Sequence, residues 1–381
     1  MNKIYIYFLI LSLFSVNIVL GQAEDENQLS SDSLLTKSDS LLTEEEIHFR
    51  DSITEINMQA RIIKESQENY NIGIQKFAQK EYYEAIDYFG KAIQIRPDFI
   101  KAIFNRGCAE LYVKNYNQAY KDFDKIIKLD STFIKAYYKR AETATNMENY
   151  KQSEKLYEQI ISKEPDNYKH YYDLGDIKFL LKKYKQAIKM FDKAIELKNN
   201  FAKAYNDRAS CKRKLGDYEE AVKDYEKAIS IEPDLAFVYN NLGSTKNKLK
   251  DYDGAIKAFN KANIIDPDYY VAYNNRGSVY LKQGQYMKAI VEFNQAIKLN
   301  HEYYLSYNNR GIARHKMKEY SKAINDFNKA IELNSKYSTA YINRGISKEM
   351  NRDPEGSCSD WEKASELGDK LGKKYFNNQC E

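Results

Sequence analysis

The chain has 381 residues, ample for a large buried core. Its 59 Lys and Arg residues against 55 Asp and Glu leave a net charge of +4, which gives no argument for a nucleic-acid binder. Five prolines, with abundant Ala, Lys, Glu and Ile, suit an all-α protein.

The first residues read as a secretory signal over residues 1–21: Lys3 is the positive end, Ile4–Leu20 is a mostly apolar run, and Val19-Leu20-Gly21 resembles a cleavage site. The competing reading is a retained anchor, but Ser12, Ser15 and Asn17 interrupt the run and make it marginal for spanning a bilayer. Export to the periplasm or the extracellular space, with association with the outer envelope, is the expectation. Residues 22–43 are rich in Ser and Asp and read as a flexible spacer, with Ser-Asp-Ser-Leu-Leu-Thr repeated at Ser31–Thr36 and Ser38–Thr43. Thr43 and Glu46 fit a capping box that opens a polar helix over 44–65.

From there the chain repeats every 34 residues. The aromatics Phe89, Phe123, Tyr157, Phe191, Tyr225, Phe259, Phe293, Phe327 and Trp361 keep that spacing, so nine repeats begin at Ser66, Ile100, Ile134, Tyr168, Ala202, Ala236, Tyr270, Tyr304 and Ser338. Position 8 is Gly in seven repeats and Ala in Ala141 and Ala209. Position 20 is Ala or Ser, and position 17 is Tyr in all but the last repeat, which has Pro354. Small residues at 8 and 20 let two antiparallel helices, A and B, approach closely, while the aromatics fill the volume beside them. One such hairpin leaves its apolar face open, so neighbours must stack.

At these positions the chain resembles the tetratricopeptide repeat (TPR) family, from Ser66 to about Leu367. The resemblance implies a right-handed superhelical solenoid whose concave wall is built from the A helices, and a protein-binding rather than catalytic role. Residues 368–381 read as a capping helix after Gly368. If two antiparallel helices turn at Gly368, Cys358 and Cys380 come side by side, and a disulfide is expected in an oxidising compartment. Cys108 and Cys211 lie three repeats apart and read as small buried side chains.

Position 7 alternates in kind. It is Ile72, Leu174 or Leu242 in three repeats, with Tyr88, Met190 or Ala258 at position 23. It is Arg in six, and five of those carry an acid at 23: Arg106 with Asp122, Arg208 with Asp224, Arg276 with Glu292, Arg310 with Asp326, Arg344 with Asp360. Arg140 faces Leu156 and lacks one. The pattern predicts structural ion pairs between helices A and B of one repeat. Shared descent without contact is the other reading.

The resemblance places positions 2, 5, 6, 9, 12 and 13 on the concave wall. Asn206, Asn240, Asn274 and Asn308 stand at position 5, and Asn241, Asn275, Asn309 and Asn343 at position 6. Lys214, Lys248, Lys282 and Lys316 stand at position 13. An amide offers both a donor and an acceptor to a peptide backbone, so this set is the expected partner-binding groove, with the lysines favouring an acidic, extended segment. A solvated face is the plainer reading of the lysines. The N-terminal groove is more apolar, with Phe77, Leu111, Tyr112, Phe179 and Leu180, and suits either a partner helix or the helix preceding Ser66. No catalytic constellation and no metal-ligand spacing appears, and no cofactor is expected. Glycan or peptidoglycan binding on exposed aromatics is the alternative to protein binding.

Overall fold

The computed structural model describes residues 42–380. The signal-peptide reading and nearly all of the spacer therefore fall outside the described residues. Those residues form nineteen α-helices and no strand, arranged as two compact bodies that divide after Asn149.

The N-terminal body holds α1 (Glu44–Ala78), α2 (Tyr82–Ile95), α3 (Ile100–Tyr112), α4 (Tyr116–Leu129) and α5 (Ile134–Asn146). α1 opens with the capping box: Thr43 Oγ1 accepts from the Glu46 amide, and the Thr43 amide donates to Glu46 Oε2 at 2.8 Å. It then runs for 35 residues without a break at 65/66. Nothing in its sequence interrupts it, since Gly73 is its first glycine and it has no proline. The polar helix and helix A of the first repeat are one element, so the helix before Ser66 does not fold back onto the groove.

The C-terminal body begins with α6 (Tyr150–Lys163) and continues as hairpins: α7 (Tyr168–Leu180) with α8 (Tyr184–Leu197), α9 (Ala202–Leu215) with α10 (Tyr218–Ile231), and α11 (Ala236–Lys248) with α12 (Tyr252–Ile265). Next come α13 (Tyr270–Lys282) with α14 (Tyr286–Leu299), α15 (Tyr304–Lys316) with α16 (Tyr320–Leu333), α17 (Ser338–Met350) with α18 (Pro354–Glu366), and finally α19 (Lys370–Gln379). Consecutive hairpins pack side by side within the body, as a helical solenoid requires.

The core of each hairpin is one ring against one missing side chain. Phe89, Phe123, Phe191, Phe259, Phe293 and Phe327 are fully buried. A Cβ placed on Gly175 would stand 2.5 Å from Phe191, and on Gly277 2.7 Å from Phe293, inside any real contact distance. Where position 8 is Ala209, the ring is Tyr225, whose hydroxyl lies 2.9 Å from Ser210 Oγ.

The A-to-B turn has a second fixed demand. Position 15 adopts a left-handed backbone throughout, at Gly216 and Gly284 but also at Lys80, Lys114, Glu148, Lys182, Lys250, Lys318 and Arg352. Non-glycine residues accept this conformation at a cost of about 1 kcal/mol each, which the packed hairpin offsets.

At the C-terminus Gly368 turns with φ +83°, and Asp369 caps α19 through the Leu371 amide at 2.9 Å. Trp361 stacks on Tyr375 with ring centroids 5.1 Å apart. Cys358 and Cys380 are joined as a disulfide, with Cα atoms 5.7 Å apart.

Candidate functional site

The arginines at position 7 reach the acids at position 23. Arg106 donates Nε and Nη2 to the two carboxylate oxygens of Asp122 at 2.8 and 2.7 Å, and Arg208 holds Asp224 the same way at 2.9 and 2.7 Å. Arg310 forks onto Asp326, Arg344 onto Asp360, and Arg276 meets Glu292 through Nη2. Asp122, Asp224, Asp326 and Asp360 are buried. The Asp122 hydrogen bond holds the Arg106 guanidinium more firmly protonated than usual, against the cost of burial.

Four of these arginines also reach backward, sixteen residues, to position 25 of the preceding repeat. Arg208 Nη1 donates to Asp192 at 2.6 Å, Arg310 to Asn294 at 2.7 Å, Arg344 to Asn328 at 2.8 Å, and Arg276 to Asn260. Arg140, without an acid at 23, keeps this second bond alone: Nη2 lies 2.9 Å from Asp124, with the guanidinium over the Tyr120 ring. Arg208, Arg276, Arg310 and Arg344 are thus rivets between repeats as well as ties within one. In two repeats with an apolar position 7, a lysine one turn later takes the acid at position 25. Lys178 lies 3.3 Å from Glu158, and Lys246 lies 3.2 Å from Glu226.

The asparagines need a correction. Asn206, Asn240, Asn274 and Asn308 are 5%, 7%, 4% and 2% exposed, so they do not line a ligand-facing ladder. Each accepts a hydrogen bond from the position-6 amide of the next repeat: Asn241 to Asn206 at 3.1 Å, Asn275 to Asn240 at 2.9 Å, Asn309 to Asn274 at 3.0 Å, Asn343 to Asn308 at 3.0 Å. The ladder recognises the neighbouring repeat. The reason is helical geometry: position 5 sits one residue off the open face, where stacked A helices meet, and a buried amide there requires a partner. The same 35-residue link recurs with other partners: Asn105 donates to the Tyr70 hydroxyl at 3.0 Å, and in the reverse direction the Tyr172 hydroxyl donates to Asp207 at 2.7 Å. Asn241, Asn275, Asn309 and Asn343 remain half-buried.

Lys214, Lys248, Lys282 and Lys316 are exposed. Lys282 also donates to Asn247 at 3.0 Å. Burial, and then the charge of Lys248, push the Lys282 ammonium below its ordinary range.

One acidic cluster was not visible in the sequence. Burial, then the charges of Asp207 and Asp173, push the Asp176 carboxyl up to about 8, against a hydrogen bond from Tyr172. Burial also raises Asp207, although Tyr172 and Asn206 both donate to it, the latter at 2.8 Å. Three acids from two neighbouring A helices are thus close enough to raise one another, with the Tyr172 hydroxyl donating to Asp207. The signal was present as Asp173 and Asp207 at position 6, where six of the other seven repeats carry Asn.

The N-terminal body carries an open cleft of about 540 Å³ on its A-helix face, between α1, α3 and α5. Its apolar wall is Phe77, Leu111 and Tyr112, with Cys108 at its base. Asn105, Lys139, Glu142 and Asn146 border it. Tyr112 is 61% exposed yet held firmly, stacked on Tyr82 at 4.6 Å between centroids and edge-on to Phe77 at 5.5 Å. Burial pushes the Cys108 thiol up to about 11, so it is a packing group rather than a nucleophile. Among the described residues no group of three or more His, Cys, Asp or Glu is placed to hold a metal ion. No described helix is long and apolar enough to cross a membrane.

Family models described as tetratricopeptide repeat match residues 69–99, 138–201, 202–235, 238–269, 258–291 and 304–337, and one described as TPR repeat matches 277–318. The chain belongs to the tetratricopeptide repeat family. Two matches begin at Ala202 and Tyr304, the first residues of the fifth and eighth repeats. Solved TPR architectures share the fold. A tetratricopeptide repeat protein from Parabacteroides merdae is 20% identical with a TM-score of 0.54, over 64% of this chain and 97% of that one. The structure of the APC/C hetero-tetramer Cut9-Hcn1 is 14% identical with a TM-score of 0.53, over 83% of this chain and 76% of that one. No curated protein matches the sequence.

Proposed function

We propose that this TPR protein is an exported, non-catalytic scaffold that receives an apolar, helical segment of a partner protein in the cleft between α1, α3 and α5. The observation that carries the reading is Tyr112, an aromatic left 61% exposed at the mouth of a groove while its orientation is fixed by Tyr82 and Phe77. A rigid, exposed ring beside a concave apolar wall is what a binding hot spot requires, because little side-chain entropy remains to be lost. The polar border suits an amphipathic helix laid with its apolar face inward. The family supports protein binding, and the apolar run Ile4–Leu20 supports export.

Within the C-terminal body, the lysines at position 13 support a separate contact with acidic residues of a partner protein. Lys282 already feels Lys248, and an anion between them would relieve that repulsion. The asparagines at position 5 have no part in either contact.

The test is affinity capture from envelope extracts with wild type and with Phe77→Ala/Tyr112→Ala, read by mass spectrometry and by glycan array. Loss of a defined protein partner from the variant supports the reading. Unchanged protein capture overturns it, and selective loss of glycan binding would put the carbohydrate alternative in its place.

A further inference from the structure

The joint between the first two repeats breaks two rules that the rest of the array keeps. Position 25 is Asp, Asn or Glu in the other eight repeats, and here it is Gly90. Position 11 is Lys or Arg in six of the other eight, and here it is the acid Glu110. Both departures open onto one cavity of about 590 Å³, lined from α2, α3 and the start of α4. It shares no lining residue with the cleft of Phe77 and Tyr112. Arg106 still points where its acceptor would be. Nε and Nη2 are held by Asp122, while Nη1 bonds no protein group among the described residues. That nitrogen lies 3.9 Å from the place a Cβ on Gly90 would take. At the equivalent point Arg310 Nη1 reaches Asn294 and Arg344 Nη1 reaches Asn328.

One turn further along α3, Glu110 is 5% exposed, and no cation pairs with it among the described residues. Burial pushes its carboxyl up, against a hydrogen bond from Asn115, and the Asp122 charge adds to the rise. Elsewhere the lysine at position 11 lies on the acid at position 23, Lys212 at 2.8 Å from Asp224 and Lys348 at 3.0 Å from Asp360. Here Gln118 donates to Asp122 at 3.1 Å instead, so Asp122 is satisfied while Glu110 keeps unused acceptor capacity. At the rim, Lys91 and Asp87 pair with each other at 2.8 Å and offer no free charge.

We propose that this cavity receives a primary carboxamide, the side-chain group of Asn or Gln, carried by a ligand. The amide oxygen accepts from Arg106 Nη1, as Asn294 does from Arg310, and the amide N–H donates to Glu110. A carboxylate would also meet the guanidinium, as Asp192 meets Arg208, but here it would stand as a third anion beside Asp122 and Glu110. An ammonium would suit Glu110 but would leave Nη1 unfilled and facing a like charge. The carboxamide carries acceptor and donor side by side and serves both groups. Two rules broken at one joint, with no compensating contact between Gly90 and Glu110, mark a place kept open for a ligand.

The experiment is saturation-transfer NMR on the full chain with N-acetyl-L-glutamine N-methylamide, its glutamate counterpart and free L-glutamine as probes. The expected result is saturable binding of capped glutamine, at least about tenfold tighter than of capped glutamate. Gly90→Asn supplies the missing carboxamide from the chain itself, and Glu110→Lys restores the residue type of Lys212. Each should weaken binding at least about tenfold. Both variants introduce residues that the array already uses at these positions, and thermal melting followed by circular dichroism checks that they are folded. Binding of free L-glutamine identifies a small molecule as the source of the carboxamide, and binding of the capped form alone identifies a side chain within a polypeptide. No saturable binding of either glutamine probe overturns the proposal. Capped glutamate binding as tightly as capped glutamine overturns the carboxamide. Binding that survives in either folded variant overturns the proposal by placing the contact elsewhere.

Discussion

Asn309 Nδ2 donates to Asn274 Oδ1 at 3.0 Å, across two repeats and 35 residues. Ser306 Oγ also donates to that oxygen, at 3.2 Å, in a buried position. An oxygen with two donors 4% exposed to solvent is architecture. Asn274→Ala leaves the Asn309 amide and the Ser306 hydroxyl without their acceptor, a loss of about 2 kcal/mol. The expected result is a lowered urea midpoint and faster amide exchange in α13 and α15, with partner capture unchanged under conditions where the variant is folded. Loss of capture without loss of stability would restore these amides as ligand contacts.

The arginine rivets predict an asymmetry between single and double changes. Asp326 is 3% exposed and takes Arg310 through Nε and Nη2 and Arg314 through Nη1 at 2.8 Å. Arg310→Leu alone leaves the buried Asp326 carboxylate with Arg314 as its one cation, and Asp326→Ala alone leaves the half-buried Arg310 guanidinium with Asn294 alone, each costing about 2 kcal/mol. The chain already contains the apolar alternative in Leu242 opposite Ala258. Arg310→Leu/Asp326→Ala should therefore recover much of the loss, measured by chemical denaturation as a double-mutant cycle. Additive losses would mean that Arg310 and Asp326 do not act as a pair.

How much of this was legible follows from where each partner lies. The hairpin is written in residues that keep one identity at one spacing, such as Gly277 with Phe293. The tie of Arg310 to Asp326 was legible because charge varied with charge inside one repeat. Its backward bond to Asn294 was not, because position 25 changes from Gly90 to Asp124 to Asn260, and the partner belongs to the previous repeat. The amide ladder was misassigned although its signal was present. Asn206 has no amide at position 6 beside it and Asn343 has none at position 5, so each end of the run supplies only the half that a repeat-to-repeat rung needs. Asn is common on open faces, and composition alone does not separate a solvent-facing amide from one turned onto the next helix. The exposure of Tyr112 was likewise out of reach, since a tyrosine one turn away could have been covered as Tyr82 and Tyr116 partly are.

The end of the chain depends on a covalent link. Cys358 and Cys380 close a segment of sequence separation 22 around Gly368, and α19 is otherwise held mainly by Trp361 on Tyr375 and by Asp369, which accepts from Ser338 at 2.8 Å. Cys358→Ser/Cys380→Ser should cost the terminal hairpin about 3 kcal/mol in a chain-entropy estimate. Amide exchange should quicken in α18 and α19 and stay unchanged in the N-terminal body, because repeats couple chiefly to neighbours. Uniform loss of protection across both bodies would contradict that localisation.

The acid cluster gives the molecule a pH dependence with a definite sign. Asp176 is raised from the ordinary 3.8 to about 8, so between those values the folded chain holds a proton that the unfolded chain has released. Stability from this group is fully present below about pH 4 and is lost as pH rises through about 8. The groups around it act in the same direction: Asp173 and Asp207 are carboxylates, and the Tyr172 hydroxyl is itself pushed up by burial and by Asp207. Lys203 works against them by favouring charge on Asp207. Asp176→Asn keeps a neutral hydrogen-bonding side chain at all pH values. It should be nearly neutral for stability at pH 5 and gain about 2 kcal/mol over wild type at pH 9. Thermal or urea denaturation of both proteins across that range reads the effect. The difference must grow with pH; a constant offset would show that Asp176 is already ionised in the folded chain and that its neighbours, not its proton, set its contribution.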